Sequence, residues 1–409
     1  MIRSKCSYKP RRTLMNQTVL DESKAATGET PLMDEISGGP WPSHARELKR
    51  TRYPVMMYEE AMKQKYTQWG HGGMSSVPGL GSGAIARKSR RPDIISHSHL
   101  VRVLGTPGCF YKTSSFRKIC ELAEKYGDGS LHMLTTNSNL EICGLMNDDD
   151  MKGITEGLNS LGYDVGSAGD AIRNIPDCMG PSLCEYALMD TPGIKHFMTK
   201  HYIDDIQYPR FPFKIKTKMS GCPNECGKAL LHADIGIIGV FKDLPKVDNA
   251  RLKEWVKQGG DIATVCDRCP TDAMKWDSAK LEIDPDRCIR CMYCINRVPA
   301  IKPGDDRGVA LTAGGKMKGK MGPMKGKVIF PFVKTSPPDY KELVEAYGKI
   351  CAVYDDHGKK KERIGDMIQR IGFDRFIELC GVEPSTMHFS SPRRNTFYHW
   401  HEGELGGVK

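Results

Sequence analysis

Four cysteines fall into two short-range pairs, Cys178 with Cys184 and Cys222 with Cys226. Brought together by folding, four thiolates supply the ligand number of a cubane [4Fe–4S] cluster. Any one of them alone could be a small core residue, since free cysteine packs well in apolar surroundings. The pairing favours a metal centre, as do the turn-forming residues around both pairs, Gly180-Pro181 and Gly221 with Pro223. Just ahead of the second pair, Phe213–Met219 alternates Lys214, Lys216 and Lys218 with Phe213, Ile215 and Thr217. A strand there would put all three ammonium groups on one face, turned toward something anionic. The plainer reading of such a stripe is a solvated edge.

A second cysteine block lies further on. Cys288, Cys291 and Cys294 have the spacing of a bacterial ferredoxin run, whose fourth cysteine position is here Val298, followed by Pro299. Upstream, Cys269-Pro270 has the form of the remote Cys-Pro segment, while the places for its own run fall on Gly259, Ile262 and Val265. The block therefore predicts one cluster, ligated by Cys269, Cys288, Cys291 and Cys294. Cys266 is left over, and its spacing to Cys269 also suits a zinc knuckle, which stays open as the alternative.

The C-x5-C and C-x3-C pairs resemble the signature of sirohaem-containing sulfite and nitrite reductases. With the ferredoxin block, Arg102, Arg173 and the lysine strand, nearly the whole chain resembles the alpha subunits of dissimilatory sulfite reductase. The resemblance implies an α+β fold of sulfite/nitrite reductase-like α/β sandwich domains with an inserted bacterial-type ferredoxin domain. It implies sirohaem and two [4Fe–4S] clusters, with Cys226 bridging the first cluster to the sirohaem iron. Arg102, Arg173, Lys214, Lys216 and Lys218 would surround the macrocycle and a sulfite dianion, to be reduced by six electrons towards sulfide or formed in reverse. The implied partners are a homologous beta subunit in an α2β2 assembly, a small sulfur-carrier protein and an external electron donor. A sirohaem nitrite reductase and a non-catalytic electron-transfer subunit are the alternatives.

The elements that must position these residues are partly readable. His99–Leu104 alternates as a strand, Ser115–Tyr126 has helical spacing, and Leu131–Thr135 and Leu140–Gly144 read as two more strands. Asn147–Asp150 caps a helix through Leu161. The order β-α-β-β-α is that of an α+β sandwich. Beyond it, the first cysteine pair reads as a turn opening a helix over Tyr186–Met189, and Ile235–Phe241 as a buried strand. Asp339–Tyr354 and Lys361–Leu379 read as amphipathic helices.

Boundaries follow composition. Residues 1–50 are a polar arm broken at Gly38-Gly39-Pro40, and 51–170 a first α+β domain. Residues 171–241 with 328–382 make the cluster and sirohaem domain, 242–327 the insert, and 383–409 a tail carrying Phe397, Tyr398 and Trp400. The glycine-rich Gly79–Gly83 stretch near Arg87 lacks dinucleotide-site spacing and reads as an ordinary loop. A length of 409 residues calls for two or three packed units. The net charge of +10 favours anionic partners. Nucleic acid is not expected, because the Lys316–Lys327 stretch lacks interleaved aromatics. No export signal or membrane span is read, so a cytoplasmic location is expected, and fifteen cysteines there argue for metal ligation over disulfides. Purified protein is expected to contain iron and acid-labile sulfide; zinc without sulfide would contradict both cluster assignments.

Overall fold

Alternation at His99–Leu104 does form a strand. In the computed structural model, which describes residues 74–76, 83–87, 98–129, 131–134, 139–317, 321–385 and 388, it extends over Ser98–Leu104. It is β3 of a five-stranded sheet with β1 (Met74–Ser76), β2 (Ala84–Arg87), β4 (Leu131–Leu134) and β5 (Asn139–Leu145), ordered β1-β2-β3-β5-β4. Helices α1 (Thr113–Tyr126) and α2 (Asp148–Ser160) pack on it, burying Ile119, Ala123, Met151, Ile154 and Leu158 against Val101, Val103 and Ile142. The side chain of Asn147 accepts the Asp150 amide at 2.8 Å, and three aspartates sit at the positive end of α2. The expected β-α-β-β-α order is observed.

The larger sheet runs β13-β12-β7-β6, with β6 (Thr217–Ser220), β7 (Ile235–Phe241), β12 (Arg307–Ala313) and β13 (Lys327–Val333). β6 and β7 are parallel, and their connection carries Cys222 and Cys226. Before it, residues 172–178 run beside 215–219, with parallel bridges at Ile172–Ile215 and Asp177–Met219. One end of this ladder holds Arg173 beside Lys214 and Lys216; the other delivers Cys178 to the loop of the second cysteine pair. Gly239 of β7 permits the approach, since a Cβ there would lie 2.2 Å from the Gly221 carbonyl oxygen. Helices α3 (Thr191–His201) and α4 (Lys341–His357) share the core with this sheet, through residues such as Ile194, Met198, Tyr347 and Ile350.

The inserted residues form two short antiparallel pairs. One joins β8 (Lys246–Val247) to β11 (Ile301–Lys302), the other β9 (Met274–Trp276) to β10 (Leu281–Ile283). Helices over Asn249–Lys257, Ile262–Asp267 and Tyr293–Arg297 complete the unit.

Four local expectations differ from the structure. Residues 184–189 are not helical: the helix starts at Thr191, where Asp190 caps it and Pro192 suits its first turn. The lysine strand is shorter: before Thr217 only Ile215 pairs as β structure, in an isolated bridge to Ile172. Lys361–Leu379 is two helices, α5 (Ile364–Ile371) and α6 (Phe373–Leu379), broken at Gly372 with φ of 92°. The insert's expected end at residue 327 takes in β12, which pairs with β7 over seven positions and so belongs to the large sheet. The arm 1–50, the loop Gly79–Leu80–Gly81 and the aromatic tail lie outside the described residues, and no described helix is long and apolar enough to cross a membrane.

One buried ion pair fastens α5 to β7. Asp234, fully buried before β7, accepts from Arg363 Nε and Nη2 at 2.6 Å each and from the Lys216 amide at 2.8 Å. Removing one partner strands the other's charge. Asp234→Ala is expected to lower unfolding free energy by about 3–5 kcal/mol in urea titration; a loss below about 1 kcal/mol would show the pair to be dispensable.

Candidate cluster and anion site

The first four cysteines converge. Burial pushes the Cys222 thiol up, and the charges of Cys184, Cys226 and Cys178 push it further, which places all four within electrostatic reach of one another. Cys178 Sγ accepts the Gly221 amide at 3.1 Å, and a Cβ on Gly221 would stand 3.1 Å from that sulfur. The loop thus turns its backbone toward thiolate, as ligand sulfur requires. Cys222 is buried while Cys226 is exposed, open on the side where a further group could attach.

The second set converges separately. Cys269, Cys288, Cys291 and Cys294 line one small cavity in the insert. Burial and the three neighbouring thiolates raise Cys294 to about 12. The Ala273 amide donates to Cys269 Sγ at 3.3 Å. Cys266 lies on the helix Ile262–Asp267, packed against the apolar core and coupled to Cys269 alone. Among the described residues no group of three or more His, Cys, Asp or Glu side chains has the compact geometry of a single-ion site. The second set lines a small cavity, as a cubane requires.

Toward the Arg173 end of the same ladder lies a cavity of about 930 Å³. Lys214 and Lys216 line it, and so do Lys359, Lys360, Lys361, Arg363 and Arg370. Phe213, Met317 and Met321 supply apolar surface in the same wall. Burial, and then Arg173 and Arg363, hold Lys214 down to about 8. Lys216 is lowered by burial and by the same two arginines. Lys218, 4% exposed, is held at about 8 by burial, Lys216 and Lys228. Arg173 is depressed to about 10 by burial and by Arg102. No ion pair among the described residues engages Lys214, Lys216 or Lys218.

Of the five expected cations, Lys214 and Lys216 line the cavity, and Arg173, Lys218 and Arg102 are not among its lining residues. Arg173 Nε donates to the Gly169 carbonyl at 3.2 Å, and Lys218 leads from Lys216 toward Lys228 and Glu225, the residue preceding Cys226. Arg102 is the least free: its Nε donates to Glu141 at 2.8 Å and its Nη1 to the Ser167 carbonyl at 3.2 Å. Glu141 also bonds His132 at 2.8 Å, and these partners hold its carboxyl below the usual range against the opposing effect of burial. Sequence reading missed the residues 359–370. The run Lys359-Lys360-Lys361 is the available signal, of which only Lys361 falls within an expected helix.

Glu362 and Asp366 share the lining, and Arg363 and Arg370 are paired with Asp234 and Glu362, but the lysines outnumber the carboxylates, so the cavity suits an anion. An apolar, flat body with an acidic rim fits both walls: apolar contact from Phe213 and the methionines, cations along the edge.

Two family models match the chain: the nitrite and sulphite reductase 4Fe-4S domain over residues 168–388, and the nitrite/sulfite reductase ferredoxin-like half domain over 97–161. The chain is 34% identical over 390 residues to the dissimilatory-type sulfite reductase subunit alpha of Allochromatium vinosum, covering 90% of this chain and 93% of that one. It is 29% identical over 306 residues to the corresponding subunit beta of Nitratidesulfovibrio vulgaris, covering 70% and 78%. The crystal structure of dissimilatory sulfite reductase I superposes with a TM-score of 0.77 at 30% identity, covering 92% of this chain and 96% of that one.

Lysines with depressed pKa values bind fewer protons folded than unfolded between about 8 and 10.5. Stability of the ligand-free chain is therefore expected to rise with pH through that window, as the unfolded state alone must lose protons. Thermal midpoints at constant ionic strength should show the rise in the native chain and a smaller one in Lys214→Met/Lys218→Met. A flat profile in both would place these lysines in ordinary solvent.

Proposed function

The chain belongs to the alpha-subunit family of dissimilatory-type sulfite reductases, and on that premise we propose that it serves the six-electron reduction of sulfite towards sulfide, or its reverse. Its cofactors are sirohaem and two [4Fe–4S] clusters. The observation that carries the reading is the cation field of Lys214, Lys216 and Arg173, joined by Arg363 in its pair with Asp234, on the same ladder as four convergent thiols. A cluster alone does not call for so much positive charge. A cluster next to a macrocycle with eight carboxylates and an oxyanion substrate does.

The donor sets fit these groups. Cys178, Cys184, Cys222 and Cys226 would hold one cluster, with Cys226 next to the sirohaem; Cys269, Cys288, Cys291 and Cys294 would hold the other. Sirohaem, when bound, supplies an open iron position for sulfite sulfur and a store for single electrons. The chain's own residues do the remaining work. Lys214 and Lys216 reach into the cavity, where they bind anionic oxygen and, with Lys214 held near 8, release a proton at small cost near neutral pH. Arg173 and Arg102 are not among the lining residues, and Glu141 fixes the Arg102 guanidinium and limits its net charge. Lys218 extends the positive field toward Cys226. The lysines and arginines at 359–370 are read as partners for macrocycle carboxylates.

Kinship to both alpha and beta subunits supports pairing with a homologous beta chain, proposed as α2β2 in the cytoplasm. A small sulfur-carrier protein and an external one-electron donor complete the proposed set of partners. The domain reading is likewise proposed: a first unit to residue 170, the cluster and sirohaem unit built on the large sheet, and a ferredoxin unit between β7 and β12.

The purified complex is expected to show a sirohaem visible spectrum and to oxidise reduced viologen only when sulfite is present. Lys214→Ala and Lys216→Ala should each lower turnover on the order of 100-fold with iron content retained. Undiminished turnover in both would make this subunit's site non-catalytic and leave it an electron-transfer role.

A further inference from the structure

The two cysteine sets are joined by a contact that neither set requires for its own ligands. Asn224 lies midway between Cys222 and Cys226, and Asn296 lies two residues after Cys294. Asn224 Nδ2 donates to Asn296 Oδ1 at 3.1 Å, and Asn296 Nδ2 donates back to Asn224 Oδ1 at 2.6 Å. Such a reciprocal pair uses one donor and one acceptor from each amide and fixes both planes. Around it the packing is continuous. Buried Leu188 and Cys222 belong to the same apolar cluster as Met292, Ile295 and Val298 of the insert, with Cys269 and Cys294 packed against it. Apolar side chains therefore lie between the sets, while the amide pair itself is exposed to solvent.

We infer that the Asn224–Asn296 amide pair is the bridge across which single electrons pass between the insert's cluster and the cluster of the first cysteine set. The inference rests on reading both sets as [4Fe–4S] ligands. In each transfer the insert's cluster loses one electron and the other cluster gains it. No bond is made or broken and no proton moves. The electron comes from an external one-electron donor. Asparagine suits the position because a neutral amide has no charge state to change as electrons cross, and two hydrogen bonds hold the loops at fixed separation. A lysine or aspartate pair would also join the loops, but would bias the potential of the nearer cluster.

The test uses the complete complex with its partner subunit, reduced by substoichiometric viologen radical and sampled by rapid-freeze electron paramagnetic resonance. Asn224→Leu and Asn296→Leu are each expected to slow equilibration between the clusters about tenfold. The double variant should be no slower than either, since one bridge is removed only once. Midpoint potentials and iron content should stay at native values. Asn224→Ala and Asn296→Ala, which remove the bonds without adding bulk, should behave alike. Unchanged equilibration in the leucine and alanine variants, additive slowing in the double variant, or slowing explained by a shifted potential would each overturn the bridge. Native protein with only one cluster per chain would instead remove the premise, a result separable by iron and sulfide analysis before any kinetics.

Discussion

Repulsion between buried cations is the constraint around which this chain is arranged. Burial and the neighbouring cations Arg173 and Arg363 lower the proton affinity of Lys214 and Lys216, Lys216 in turn lowers that of Lys218, and Asp234, the anion set among them, raises that of Arg363. A fold tolerates such a concentration only where its backbone is held from several directions. Here the ladder of 172–178 along 215–219, the parallel β6–β7 pairing and the Asp234 clamp on Arg363 do the holding. The same ladder that gathers the cations also delivers Cys178 to the loop of Cys222 and Cys226. Charge and thiolate are thus placed by one backbone feature.

What the sequence revealed and what it concealed divide along the range of the interactions. Cysteine ligands are legible because their spacing is set by turns of a few residues, and the ferredoxin frame survives even with Val298 in place of its fourth ligand. Helix α2 is legible because Asn147 and three aspartates mark its start. The cavity's far wall is not, because Lys359–Arg370 meets Lys214 only through the tertiary packing of α4 and α5. Local signals were also outweighed. Asp190 with Pro192 set a helix start that the cysteine turn obscured, and Gly372 divided a pattern that was amphipathic throughout. Composition placed the insert's end too late, because the Gly/Lys/Met run is more conspicuous than the strand Arg307–Ala313 that precedes it.

Arg102 illustrates how a structure qualifies a residue without relocating it. Its guanidinium belongs to a trio with buried Glu141 and the exposed His132. Positive charge at this point is therefore an adjustable quantity, set by a carboxylate it shares with a partly exposed imidazole. Lys214, by contrast, makes no ion pair among the described residues; the Phe213 ring lies 4.7 Å from its Nζ, and burial with Arg173 and Arg363 lowers its proton affinity. The expected cations are consequently unequal, with Arg102 the most compensated of them.

The pairing of β7 with β12 bears on the order in which the molecule is made. Phe241 and Arg307 are partners in the register, so the insert begins and ends at the same rung of the ladder. During synthesis β7 leaves the ribosome well before β12 and waits with one edge unpaired until the whole insert has emerged. Compaction of the insert brings residues 241 and 307 together and shortens the loop that pairing must close. Metal loading of the inserted cysteines would lock that compact state, making maturation of one centre a timing device for completion of the sheet that carries the other.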